Sequence, residues 1–326
     1  MKLHPTIILL SGIVLLPGCH QVDDISGDDV SGNSPIWVSA EPVSSFTRSY
    51  VPTGMYDNFK VYAAAETDGT QTIVMNGYDV KFVNNDWSYV TETQRLMYWD
   101  SHADRYLFAA GAPVDAVTSM SATSMTLHLE NNTEGSVMAS EPQAIEHGST
   151  DFGKTVHLRF GYAHCRVCVA FVQNAVAAVT VTDVQLTPHD SIAGQADLAY
   201  DYDWSTTPAT VTTRLTTTAK SVTPLSFAPV TVPAHTEAAV LSDTKHYCVP
   251  DVANPDSWTV SLTCDGERKS ASFANSETWQ GGKNYIYVFD LTEKSVKLVK
   301  VLSQDTFFDC NDIVPGDEFS NTDMIE

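Results

Sequence analysis

Basic residues are few in this chain of 326: 18 Lys and Arg stand against 40 Asp and Glu, a formal charge of −22. So acidic a protein gains nothing from counterion release along a phosphate backbone, which excludes nucleic acid as a partner, and an anionic lipid surface repels it. Also missing are G-x-S-x-G, H-E-x-x-H, a Walker loop and G-x-G-x-x-G, the common nucleophilic, zinc-protease and nucleotide-binding signatures. No apolar run reaches the roughly 20 residues that a membrane-spanning helix needs. No repeat of roughly 20–50 residues recurs, so a propeller or solenoid is excluded. Few windows carry the 3.6-residue period of a helix.

What is there begins at residues 1–18. Met1-Lys2 leads into an apolar run over 6–16 broken only by Ser11 and Gly12, followed by Leu16-Pro17-Gly18-Cys19. The run is the length of a signal-peptide core, and its end resembles the bacterial lipobox, in which cleavage precedes a cysteine that already carries diacylglycerol. Cys19 is the expected lipid anchor, a palmitate-type modification. Residues 19–35 then form an acidic, Gly- and Ser-rich tether with too little apolar content to fold. Its Asp23-Asp24 pair resembles the signal that carries lipoproteins to the cell exterior in Bacteroidetes, so the expected location is the outer membrane, exposed at the surface.

Beyond the tether, short alternating runs of β-branched and aromatic residues are bounded by Gly, Pro, Asn or Asp, the pattern of strands. A first group covers 36–40, 59–65, 72–75, 78–83, 88–90, 95–98, 106–110 and 125–130. Residues 138–153 are aperiodic and read as a linker. A second group covers 155–160, 166–172, 177–186, 210–217, 238–242, 257–264, 270–273, 284–291 and 295–302. In Val156-His157-Leu158-Arg159-Phe160 the apolar residues have even numbers, whereas Val167, Val169 and Phe171 are odd, so a turn or bulge is expected between them. The economical packing is all-β, with a sandwich at 36–147, another at 148–302, and an acidic extension at 303–326.

Groups able to do chemistry are scattered. His164-Cys165-x-x-Cys168 looks like half a zinc site, but residues 165 and 168 fall on opposite faces of a strand. Asp100, Asp104, Asp201 and Asp203 are carboxylates that a glycosidase could use, and a solvated surface explains them equally. Asp201-Tyr202-Asp203-Trp204 reads as a loop suited to sugar or calcium. With Cys19 lipidated, Cys165, Cys168, Cys248, Cys264 and Cys310 remain, an odd number. Cys248 and Cys264 flank a strand-turn-strand segment and could pair, or the thiols stay reduced. No cofactor is implied.

Four passages together resemble the fimbrillin family, the major and minor pilins and related surface lipoproteins of Bacteroidetes. They are Phe59-Lys60-Val61-Tyr62-Ala63 after Thr47-Arg48; the aromatic stretch from Trp87-Ser88-Tyr89 through Tyr98-Trp99-Asp100 to Asp104-Arg105-Tyr106-Leu107-Phe108-Ala109-Ala110 and Pro113; residues 156–160 leading into 165–171, with Tyr162 where the family often has histidine; and Trp279-Gln280-Gly281-Gly282-Lys283-Asn284-Tyr285-Ile286-Tyr287 running on to Leu291. The resemblance implies two tandem transthyretin-like, Greek-key sandwiches. It implies a fimbria (pilus) subunit, tip or anchor component that mediates adhesion and assembles by donor-strand exchange, without enzymatic activity. In that scheme Ile36-Trp37-Val38-Ser39-Ala40 is the strand displaced, Arg48 the processing site, and other fimbrial subunits the partners by β-strand addition. A host or bacterial surface ligand is a further partner. Phe307, Phe308, Ile313, Val314 and Phe319 of the acidic extension would suit a donated strand. Asp190-Ser191-Ile192 resembles the O-glycosylation acceptor of these bacteria, with Ser191 as acceptor. The alternative is a non-polymerising lipoprotein that binds a glycan or host ligand through loop aromatics such as Trp99 and Trp204.

Overall fold

The computed structural model describes residues 34–42, 57–250, 257–275 and 277–304. In chain order its strands are β1 (Val38–Pro42), β2 (Asn58–Thr67), β3 (Thr70–Val83), β4 (Asp86–Ser88), β5 (Arg105–Ala112), β6 (Val117–Met120), β7 (Ser124–Glu130), β8 (Met138–Ser140), β9 (Gln143–Glu146), β10 (Val156–Tyr162) and β11 (Cys165–Gln173). They continue as β12 (Val179–Pro188), β13 (Ile192–Asp203), β14 (Thr210–Ser221), β15 (Leu225–Phe227), β16 (Val230–Val232), β17 (Thr236–Leu241), β18 (His246–Cys248), β19 (Trp258–Cys264), β20 (Glu267–Phe273), β21 (Asn284–Leu291) and β22 (Val296–Gln304). The expected all-β class is observed.

Local sequence explains much of this. β7 buries Met125, Leu127 and Leu129 and leaves the residues between them partly exposed, and β19 alternates in the same way, as a half-buried strand must. β5 and β11 instead read as nearly unbroken apolar runs because both of their faces are covered. Three hairpins turn on Asp68-Gly69, Asn84-Asn85 and Asp265-Gly266, each with both φ angles positive. That is the turn geometry that follows the natural twist of paired strands.

The first sheet runs β1-β10-β8-β5-β2-β3-β4, with β9 also on β5. β2 and β10 are three places apart, about 14 Å at the usual strand spacing, yet the rings of Phe59 and Phe160 lie 5.3 Å apart. The sheet therefore curls around an interior filled by Phe59, Trp87, Trp99, Tyr106, Phe108 and Phe160. A second body of core packs the sheet β17-β11-β21-β22 on the sheet β15-β12-β19-β20, with Val167, Val169, Phe171, Tyr287 and Phe289 in one cluster with Val181, Leu186, Val260 and Leu262. A fourth sheet, β14-β13-β7-β6, joins that same cluster and packs on the outer face of β5 through Leu107 and Ala109. Arg105 reinforces the contact, holding the Glu66 carboxylate through Nε and Nη2 while its Nη1 donates to the Trp204 carbonyl.

Several expected elements differ. The stretch 138–153 is no aperiodic linker: it carries β8 and β9, both paired with β5. Strands of three and four residues separated by Pro142 are too short to show a period. Residues 72–75 and 78–83 form one strand bent at Gly77, φ +65°, where bulges shift the register against β2. Residues 95–98 form no ladder; Tyr98 makes a single bridge to Pro35. The change of phase after Phe160 does mark a turn, at Ala163-His164, where the chain leaves the first sheet for another. Strand pairing also crosses residues 147 and 148: β10 lies in the first sheet, and β7 pairs along its length with β13.

That turn is built around His164, which is fully buried. Its Nδ1 accepts from the Val137 amide at 3.0 Å, which places the ring proton on Nε2, toward the Glu130 carbonyl but without a well-formed bond. Burial pulls its pKa down to about 4. The unfolded chain therefore takes up this proton first as pH falls below about 6.5, and stability present above that value is lost toward pH 4, about 3 kcal/mol at most.

Two outcomes follow. Urea unfolding measured between pH 7 and 5 should show a falling midpoint, and His164→Asn should flatten that slope while leaving the smaller part due to His246, whose pKa burial also lowers. Separately, a Cβ on Gly111 would stand 2.8 Å from Leu127 Cδ2 and 2.9 Å from Met125 Sδ and Val117 Cγ2. Gly111→Ala should cost about 1–3 kcal/mol by overpacking, read as a lower urea midpoint at unchanged slope.

Candidate functional site: the strand that closes the first sheet

The first sheet ends on one side in β1, and the short segment that contains β1 also bonds to a stretch of chain outside the ladder. On one side β1 runs parallel to β10, with Val38 opposite Val156, Ala40 opposite Leu158 and Pro42 opposite Phe160. On the other, residues 34–36 run against 97–99: Ile36 donates to the Met97 carbonyl at 2.8 Å, and Trp99 donates to the Ser34 carbonyl at 3.0 Å. Pro42, which has no N–H, sits at the strand's end, where it leaves no ladder bond unmade.

Alternation divides the segment cleanly. Ile36, Val38 and Ala40 point inward and are almost wholly buried, whereas Trp37 is 37% exposed. The inward set completes the aromatic interior. Polar contacts fix the segment as well: the Tyr89 hydroxyl donates to the Ile36 carbonyl at 2.6 Å and accepts from the Met97 amide at 3.1 Å, Val156 donates to the Trp37 carbonyl at 2.8 Å, and Ser39 Oγ lies 2.8 Å from His157 Nδ1. Burial pushes the Tyr89 pKa up to about 12, so the hydroxyl stays protonated and keeps its donor. Sequence reasoning picked out residues 36–40 but missed Tyr89, Met97 and His157, because contacts across more than 50 residues leave no local pattern.

The other candidates separate. Cys19, Arg48, Cys310 and the extension beyond Gln304 lie outside the described residues. Ser191 is exposed in the turn between β12 and β13. Trp99 and Trp204, expected in loops open to a ligand, are both buried: Trp99 packs on Tyr106 and Phe152, and Trp204 stacks near Tyr202 while its Nε1 donates to the Ala122 carbonyl. Residues 201–203 belong to β13, so they form no loop. Asp100 is held below the usual carboxylate range by the His102 amide and ring, and Asp203 by the Ser205 hydroxyl and amide; each caps its own turn. Asp104 accepts from the Asp68 amide. Cys165 and Cys168 do lie on opposite faces of β11, in different clusters, and among the described residues no group of three His, Cys, Asp or Glu is placed to hold a metal. No helix among the described residues is long and apolar enough to cross a membrane.

The closing passage of the chain is a single physical unit. Trp279 is buried and donates from Nε1 to the Tyr287 hydroxyl at 3.0 Å, while the Tyr285 hydroxyl donates to the Thr278 carbonyl and accepts from the Gln280 amide. A Cβ on Gly281 would sit 2.8 Å from the Ala163 carbonyl oxygen, and Gly282 donates to the His164 carbonyl. The glycines thus let this turn lie against the exit from β10.

Four packed sheets with an N-terminal strand closing the first define an all-β architecture shared with solved bacterial proteins. A candidate cell adhesion protein of Bacteroides uniformis ATCC 8492 superposes with a TM-score of 0.52 at 11% identity, over 84% of this chain and 98% of that one. One of Bacteroides ovatus ATCC 8483 gives 0.51 at 10% identity, over 85% and 98%. The family is set by sequence: residues 47–305 match the fimbrillin-like family model, and the chain belongs to that family. No curated protein sequence matches it.

Two substitutions on β1 should behave oppositely. Ile36→Ala empties core volume and should cost about 2–4 kcal/mol, speeding hydrogen exchange at the Val156 amide, whereas Trp37→Ala should change that exchange by less than about 1 kcal/mol.

Proposed function

We propose that this protein is a cell-surface subunit of fimbrial type, a shaft, tip or anchor component that mediates adhesion and acts through binding and assembly without chemistry of its own. The observation that carries the reading is the placement of residues 36–40: a short edge strand, parallel to one neighbour, with its apolar side chains inward. Parallel pairing is slightly weaker per residue than antiparallel. Loss of this strand leaves the Val156, Leu158 and Phe160 side chains and the β10 backbone edge uncovered, an acceptor for a strand from another subunit by β-addition.

In this scheme Cys19 carries the lipid that holds the chain at the outer membrane, and cleavage after Arg48 frees the segment that contains β1. The family and the shared fold support a fimbrial or adhesive role. Head-to-tail contacts of this kind grow filaments, because donor and acceptor are different surfaces. Ser191, exposed at its turn, is open to glycosylation. Burial of Trp99 and Trp204 weighs against the glycan-binding alternative.

The test is intact mass and gel mobility of the protein taken from its native outer membrane, before and after an arginine-specific protease. Loss of the segment through Arg48, with heat-labile ladders that Leu158→Asp abolishes, is the expected result. A lipidated monomer that resists cleavage, or ladders that persist in Leu158→Asp, would overturn strand exchange at this site.

A further inference from the structure

The four cysteines of the described residues are all buried thiols in this structure. They are not equivalent. Cys168 lies on the opposite face of β11 and its Sγ approaches Asn284 Oδ1 at 3.6 Å. Cys264 sits in another sheet, opposite Val181 and Glu267, on a strand that does not pair with β18. Cys248 instead stands directly opposite Cys165, in register across β18 and β11.

The backbone places this pair further. Tyr247 exchanges both of its backbone bonds with Asn132, on the side of β18 away from β11, and Arg166 donates to the Lys283 carbonyl, on the side of β11 away from β18. Their neighbours Cys248 and Cys165 therefore turn their own amides and carbonyls toward each other, as a hydrogen-bonded pair. Such pairs hold Cα atoms about 5.5 Å apart, inside the range of about 4.4–6.8 Å that a disulfide spans, while their Cβ atoms, about 5 Å apart, have to draw together by roughly 1 Å for the bond to form. Both side chains enter the same core cluster, and Cys165 Sγ lies 3.4 Å from the Cys248 carbonyl.

We propose that Cys165 and Cys248 form a cross-strand disulfide when the exported chain folds in an oxidising compartment. The two thiols lose two protons and two electrons as the sulfur–sulfur bond forms; the electrons reduce the disulfide of an envelope thiol oxidoreductase to its dithiol. Burial and the adjacent Cys248 hold the Cys165 thiol well above its usual pKa, so the folded site supplies little thiolate, and the exchange belongs to the stage before β18 docks.

The bond would staple a junction. β18 is a strand of three residues bonded on one edge to β11 and on the other to Asn132, and Val249 donates to Asn131 Oδ1. Residues 131–132 follow β7, from the fourth sheet. A bridge here fixes β18 to β11 within one sheet, beside the turn through which the chain leaves β10.

The test uses the full-length protein exported to an oxidising periplasm, denatured without reductant in the presence of a maleimide. After subtraction of the maleimide adducts, intact mass should be about 2 Da below the all-thiol value, and a digest should yield one cross-linked peptide joining Cys165 to Cys248, with Cys168 and Cys264 alkylated. Reductant should lower the Tm of the wild type by roughly 5–10 °C, and should leave the Tm of Cys165→Ser and Cys248→Ser unchanged. Full alkylation of Cys165 and Cys248 in the unreduced wild type, or a bridge from either to another cysteine, would overturn the proposal, and both are read on the wild type even if a variant fails to fold.

Discussion

A sheet that curls around an aromatic interior cannot leave that interior open to water, and the N-terminal part of this protein is arranged around covering it with one segment. Residues 34–42 bond to residues 97–99 on one side and to β10 on the other. The same residues supply Ile36, Val38 and Ala40 to the interior. Backbone pairing and apolar burial therefore depend on a single piece of chain, and the large aromatic rings of the first sheet stay dry only while it is in place.

The second constraint is the crossing from the first sheet to the rest. Ala163 and His164 make the turn, and three segments distant in sequence close over it: residues 130–137, the Gly281-Gly282 turn, and β18 through its bridge to Asn132. A glycine is needed where the Ala163 carbonyl comes within 2.8 Å of a would-be Cβ. A neutral, buried imidazole is needed where the Val137 amide requires an acceptor and no charge can be accommodated. The closing passage from Trp279 to Tyr287 thus has a physical reason, since its tryptophan, tyrosines and glycines cap this crossing.

Legibility tracked length and separation. Long alternating strands such as 125–130 and 257–264 were plain in the sequence, because several periods of burial repeat within them. β6, β8, β9, β15, β16 and β18 have three or four residues each and carry no period to read. β13 was missed because the acidic and aromatic residues 201–204 suggest a loop, whereas Tyr202 and Trp204 are drawn into the core beside β7.

The sequence by itself determined the all-β class, the phase change after Phe160 and the opposed faces of Cys165 and Cys168, since each rests on alternation, while the interest of residues 36–40 came from the family resemblance. Tertiary structure alone decided that this strand closes a curled sheet, that β7 joins β13 across the middle of the chain, and that Cys248 faces Cys165. Those pairings link residues some 70 to 120 positions apart, and a backbone hydrogen bond is indifferent to side-chain identity, so nothing in the order of residues records which edges meet.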